Sequence, residues 1–200
     1  MAITAEQVKT LRERTGAGMM ECKNALTEAG GNIDDAVTVL RKRGLAQAAK
    51  RSGRATRQGM VNSYIHLGGK VGVLVEVNCE SDFVARTEGF QSLVKEIAMQ
   101  IAAAEPKYVS REHVPAAELE KEKEIARAQF AGSNKPAEVI EKIVEGKLGA
   151  FYERVCLLDQ PSIRDGAVKV HQMVAATVAQ TGENITVSRF ARFKLGEATE

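Results

Sequence analysis

The chain has 200 residues, of which 44% are hydrophobic and 27% charged. That is the balance of a folded protein with one or two small domains, and it excludes a disordered, collagen-like or mucin-like chain. Aromatic residues are only 4% and tryptophan is absent, while 28 basic residues against 26 acidic ones leave a net charge of +2. Cores must therefore be built from Val, Ile, Leu, Ala and Met, and any nucleic-acid role would need a local basic patch.

No apolar run approaches the roughly 18 to 20 residues needed to span a bilayer. The start, Met1-Ala2-Ile3-Thr4-Ala5-Glu6, has no basic region followed by an apolar one, so no signal peptide is expected there. Cys22, Cys79 and Cys156 are odd in number and widely spaced, and they form neither a disulfide framework nor a C-x-x-C pair. A cytoplasmic location is expected.

The first 44 residues read as three short helices. Thr4 and Gln7 have the spacing of a capping box, and Ile3 and Val8 that of a hydrophobic staple. Val8 and Leu11 begin an apolar stripe that stops at Thr15-Gly16-Ala17-Gly18. The second helix carries Met19, Cys22, Leu26 and Ala29 and ends at Gly30-Gly31. Asn32 caps the third, in which Ile33, Ala36, Val37 and Leu40 recur at helical spacing, and Gly44 stands where a C-terminal cap would sit. Residues 41–57 hold Arg41, Lys42, Arg43, Lys50, Arg51, Arg54 and Arg57 without one acid. This reads as a partly helical linker, either simply solvated or in contact with RNA or an acidic partner.

Met60 to Leu67 and Lys70 to Asn78 alternate around Gly68-Gly69, with Val71, Val73, Val75 and Val77 on one face. This predicts a β-hairpin with a two-residue primed turn. A long helix is expected from about Asp82 to Ala104, with Phe90, Leu93, Val94, Ile97 and Ile101 on one side. A charged helix is expected over 110–131, another from about Pro136 to Val155, a last one over 170–180 and a closing strand over Ile185 to Leu195. Strands and helices are segregated, so the predicted class is α+β with a small, mainly antiparallel sheet and packed helices.

Signatures of common chemistry are missing. There is no P-loop, no H-E-x-x-H and no G-x-S-x-G, and Glu21 stands where a dinucleotide fingerprint would need its third glycine. The three histidines, His66, His113 and His171, are scattered, so no metal site is assigned. No catalytic residue is assigned and a conventional enzyme is not expected. Asn184-Ile185-Thr186 fits a glycosylation sequon that a cytoplasmic protein would not use. The segment Asn78-Cys79-Glu80-Ser81-Asp82-Phe83-Val84-Ala85-Arg86 stands out at the junction of hairpin and helix. Ser81 suits an N-cap, and Asp82 suits the positive end of the helix dipole. Phe83, Phe90 and Ile97 are seven residues apart, so periodicity favours a buried Phe83. The alternative is a projecting tip, able to enter a partner's crevice.

Two long stretches, Leu11-Arg12-Glu13-Arg14-Thr15-Gly16-Ala17-Gly18-Met19-Met20-Glu21-Cys22-Lys23-Asn24-Ala25-Leu26 and Val77-Asn78-Cys79-Glu80-Ser81-Asp82-Phe83-Val84-Ala85-Arg86, closely resemble the signatures of the bacterial elongation factor Ts family. The likeness continues through Lys135-Pro136, Glu145-Gly146-Lys147, Leu157-Leu158-Asp159-Gln160-Pro161 and Arg192-Phe193-Lys194-Leu195-Gly196. Its length is similar to the family's short form, with a single core module. The resemblance implies a three-helix, ubiquitin-associated-like domain with the basic linker at 1–52, and an α+β core and dimerisation domain at 53–200. It implies guanine nucleotide exchange on elongation factor Tu, with displacement of that GTPase's magnesium and release of GDP so that GTP can bind. Ser81, Asp82, Phe83 and Val84 match the wedge that enters the GTPase, and Arg12, Met19 and Met20 match residues of the partner contact, the alternative for the two methionines being the core of the helical bundle. Ser81 replaces the family's usual Thr, and Glu21 its usual Asp. The resemblance implies no cofactor, no membrane, no direct nucleic-acid contact and the possibility of a homodimer. Two rivals remain. One is an RNA-binding accessory protein using residues 41–57, although its nearest ring is Tyr64. The other is an enzyme with a dispersed site.

Overall fold

The computed structural model describes residues 3–130 and 136–197. Among them the elements run α1 (Ala5–Thr15), α2 (Met19–Glu28), α3 (Ile33–Arg51), β1 (Gln58–Ile65), β2 (Val71–Cys79), α4 (Asp82–Ala85), α5 (Glu88–Ala104), α6 (Ala116–Ala128), α7 (Ala137–Val155), α8 (Val170–Thr181) and β3 (Ile185–Lys194). The class is α+β, as the segregated pattern predicts, with a ubiquitin-associated-like trio of helices first. The Lys135 half of the expected Lys135-Pro136 helix start lies outside the described residues.

Local chemistry sets the first three helices. The Thr4 hydroxyl accepts from the Gln7 N–H at 3.2 Å, and Gln7 Oε1 accepts from the Thr4 N–H at 2.9 Å, which closes the capping box. Asn32 Oδ1 accepts from the Asp34 and Asp35 N–H groups and starts α3. Leu11, Ala17, Cys22, Ala25, Leu26 and Ala36 form a small buried core, with Ile3 and Val8 packed against it.

One expectation about α3 is corrected. The helix does not stop at Gly44 but continues to Arg51. Gly44 is buried, and a Cβ there would lie 3.5 Å from the Ala175 carbonyl oxygen of α8. Glycine here permits close helix approach and does not cap. Residues 41–51 are therefore helix and 52–57 lead from it to β1, and three of the seven basic residues of this stretch reach acids elsewhere in the chain. Arg41 pairs with Asp165 at 3.7 Å, Arg43 with Glu28 at 2.5 Å and Arg54 with Glu80 at 3.4 Å. For these three the acids missing from the local sequence arrive through tertiary contact.

The three strands form one antiparallel sheet in the order β1-β2-β3. Tyr64 pairs with Val73 and Ile65 with Gly72. That register leaves residues 67–70 as a four-residue connection, closed by the His66 N–H to the Val71 carbonyl at 2.9 Å. The expected two-residue turn is thus widened. Val73, Val75, Val77 and Cys79 are buried and pack in one cluster with Phe90, Leu93, Val94, Ile97 and Ile101 of α5 and Val170 and Val178 of α8. A bulge between Glu76 and Val77 leaves Ser188 of β3 unpaired. It shifts the pleat, so that Ile185 and Val187 and then Phe190 all reach that cluster. The opposite face carries Val61, Ile65, Leu74 and Phe193, all exposed.

The charged segment expected as one helix over 110–131 is broken. A short 3-10 turn covers Arg111–His113, and α6 starts only after Pro115. Phe151, Val155 and Cys156 make a further small core with Tyr108, Val114 and Tyr152.

Candidate functional site

The long helix expected from Asp82 does not form as one piece. The Ser81 hydroxyl accepts from the Val84 N–H at 3.3 Å and starts α4, a single turn. Thr87 then takes an extended conformation, and its hydroxyl both donates to the Val84 carbonyl at 2.8 Å and accepts from the Phe90 N–H at 3.4 Å. One threonine therefore ends α4 and caps α5. This restart changes the helical phase, so the spacing of seven from Phe83 to Phe90 no longer means a shared face. Phe90 and Ile97 are fully buried, whereas Phe83 is 77% exposed. Periodicity is wrong for Phe83, and the projecting-tip alternative is what the fold contains. Val84, its neighbour, is buried and anchors the turn in the main core. Asp82 is exposed and pairs with Arg86 at 2.8 Å, one turn on, an arrangement worth little in water.

The backbone under this tip is fastened from far away. Glu183, just after α8, accepts from the Ser81 N–H at 2.9 Å through one oxygen and from the Ser81 hydroxyl at 2.6 Å through the other. Glu80 in turn accepts from the Asn184 N–H at 2.6 Å. That bond, ahead of the Arg54 guanidinium, holds the Glu80 carboxyl below the ordinary carboxylate range. Buried Asn184 donates to the Ser52 and Arg54 carbonyls at 3.3 and 2.9 Å. The Cys79 thiol donates to the Ser81 carbonyl at 3.1 Å; burial pushes its pKa up, and the charge of Glu183 adds to this.

The second group of expected residues lies on the first helices. Met19 and Met20 are 61% and 66% exposed and open α2, while Arg12 is exposed on α1. Bundle core, the alternative for the two methionines, is not where they lie: only Cys22, Ala25 and Leu26 of α2 are buried, and its first turn extends beyond the small core. Glu21 keeps a local role, accepting weakly from the Gly18 N–H at 3.4 Å. Gln180, near the end of α8, donates to the Thr15 carbonyl at 2.8 Å, and a Cβ at Gly89 of α5 would lie 3.8 Å from its side-chain oxygen. The last turn of α8 therefore touches both the end of α1 and the start of α5.

The fastening roles of Glu80, Gln180, Glu183 and Asn184 are not foreseeable from the sequence, because their partners lie far along the chain. Among the described residues no three His, Cys, Asp or Glu side chains stand together to hold a metal ion, and no helix is long and apolar enough to cross a membrane.

Comparison with known proteins identifies the family. The family model described as Elongation factor TS matches residues 2–197. The elongation factor Ts of Koribacter versatilis (strain Ellin345) is 60% identical over 200 residues, covering 100% of this chain and 91% of that protein. That of Anaeromyxobacter sp. (strain Fw109-5) is 60% identical over 198 residues, 99% of this chain and 90% of its own length. The Caldanaerobacter subterraneus subsp. tengcongensis protein is 59% identical over 198 residues, 99% of both chains. The chain belongs to the elongation factor Ts family, in its short single-core form, and the family's work is guanine nucleotide exchange on elongation factor Tu in translation.

Proposed function

We propose that Ser81, Asp82, Phe83 and Val84 form the wedge through which this chain loosens magnesium, and then GDP, from elongation factor Tu. Exposure of Phe83 on a capped and fastened turn is the observation that supports it. A large apolar side chain held out on rigid backbone enters a crevice at little entropic cost. Exchange itself is reciprocal coupling: a factor that binds the empty GTPase better than the nucleotide-bound form weakens nucleotide by the same ratio. A change of about 10⁴-fold takes about 5.5 kcal/mol of differential binding. Magnesium is the effective target because it neutralises and clamps the phosphates. In this reading Phe83 moves the partner elements that orient the metal's ligands, Asp82 hydrogen-bonds partner groups and keeps the tip in register, and Val84 roots it. No covalent chemistry is needed from this chain, which would work in the cytoplasm.

Residues 1–52 act as the docking domain in this reading, with Arg12, Met19 and Met20 on the GTP-binding domain of the partner, and residues 53–200 act as the core. Stopped-flow release of labelled GDP tests the wedge. Phe83→Ala lowers the maximal release rate about 100-fold and Asp82→Ala about tenfold; wild-type rates for both reject it.

The uncovered sheet face supports a two-fold homodimer. Val61, Ile65, Leu74 and Phe193 are neighbours across three strands and all face outward. A self-complementary apolar patch of this kind suits a second copy. Sedimentation equilibrium should show a dimer at micromolar concentration that Phe193→Glu converts to monomer; a monomeric wild type rules the dimer out.

A further inference from the structure

We infer that Glu183 is a positioning residue for exchange: its carboxylate grips Ser81 by both backbone N–H and hydroxyl and so aims the Phe83 tip. The inference deepens the wedge reading and rests on it. Glu183 lies 102 residues from Ser81 in sequence and uses its two oxygens on that one residue, at 2.9 and 2.6 Å. The second bond matters for direction. Once the Ser81 hydroxyl proton is committed to Glu183, the hydroxyl oxygen turns its lone pairs elsewhere, and one of them takes the Val84 N–H at 3.3 Å. The carboxylate therefore orients the very atom that starts α4, the turn that carries Asp82 and Phe83.

The grip is reciprocal. Glu80 accepts from the Asn184 N–H at 2.6 Å while Glu183 accepts from the Ser81 N–H, so adjacent residues on two chain segments exchange carboxylate-to-backbone bonds. The pattern is that of a capping box, made between segments far apart in sequence. Asn184 extends it to the chain leaving α3, through the Ser52 and Arg54 carbonyls. The sheet does not need these bonds for its register, because Cys79 already pairs with Ile185 and Val77 with Val187. What the box adds lies beyond the ladder, at the residue where the chain turns into the tip. Charge-assisted bonds of this kind are the strong ones, and small errors in aim cost rate steeply when the tip must act at a fixed point.

The test is a cycle in GDP release from elongation factor Tu, with Glu183→Gln, Phe83→Ala and the double variant. Gln keeps the shape but presents an amide N–H₂ to one of Ser81's two donors. Glu183→Gln is expected to lower the maximal release rate about tenfold and to leave the half-saturating concentration nearly unchanged. In the Phe83→Ala background it should have no further effect. A wild-type maximal rate for Glu183→Gln overturns the inference. So does a tenfold loss that persists without Phe83, since the carboxylate would then act elsewhere. A wild-type rate for Phe83→Ala brings down the wedge itself, and the two failures are told apart by which single variant is silent. Should Glu183→Gln not fold, Glu183→Asp keeps the charge and shortens its reach to Ser81. The expected loss is then about threefold, again absent in the Phe83→Ala background, and any other result overturns the inference.

Discussion

Two helix starts hold large apolar side chains out in water, and they are built differently. At α2 the cap is Gly18, which offers no side-chain acceptor, and the turn rests on a core of six small or medium buried residues. At α4 the cap is a serine held by a carboxylate from the segment that leads into the neighbouring strand β3, and the turn is rooted through Val84 in the main core. Each start has a buried cysteine beneath it. The Cys22 thiol donates to the Ala17 carbonyl at 3.6 Å, and the Cys79 thiol to the Ser81 carbonyl at 3.1 Å. Burial is the first cause of the raised pKa of both thiols. The difference lies in stiffness. A flexible thioether pair on a lightly held turn can adapt to a surface and supply affinity. A rigid ring on a fastened turn can transmit force to something that resists, such as a bound cation's ligands.

Glycine substitutions give the largest way to break this contrast. Gly59 of β1 has φ +139, and a Cβ there would lie 2.2 Å from the Val77 carbonyl oxygen and 2.6 Å from the Asn78 Cα. Only glycine fits, because the obstruction is backbone of the paired strand that leads into Ser81. Gly59→Ala is expected to cost about 3 kcal/mol in unfolding free energy. Gly18, at the other start, has an ordinary negative φ, and its Cβ would meet only the Glu21 side chain at 3.7 Å. Gly18→Ala should cost less than about 1 kcal/mol. Urea denaturation of the two variants checks both values, and equal costs would mean that the corners are equally constrained.

What was legible in the sequence was local. Thr4, Asn32 and Ser81 cap helices because their acceptors need only the next two or three residues, and Val73, Val75 and Val77 share a face because a strand repeats every second residue. Errors arose where one local pattern serves two uses. Gly44 looks like a helix terminator, yet the backbone of α8 makes it a contact point. Phe83 looks like the first member of a buried heptad, yet Thr87 restarts the helix after it. The signature around Phe83 includes a side chain whose exposure periodicity alone misplaces. Glu183 was not legible at all, since its meaning depends on Ser81, which only the folded sheet brings near.

The smaller prediction concerns the division of labour between the two starts. Met19 and Met20 lie 61% and 66% exposed, and docking would cover much of that apolar surface. At roughly 25 cal/mol per Å², truncating both to alanine removes on the order of 1 to 2 kcal/mol of binding, after allowance for the side-chain entropy that docking a flexible methionine forfeits. The double variant Met19→Ala/Met20→Ala should therefore raise the half-saturating concentration for GDP release about tenfold. Its maximal rate should stay at the wild-type level, because an interaction equally strong before and during exchange changes occupancy and not turnover. The wedge variants should do the opposite, lowering the maximal rate with little change in half-saturation. If the methionine variant instead loses maximal rate, the lightly held start takes part in the exchange step, and stiffness ceases to be what separates the two corners.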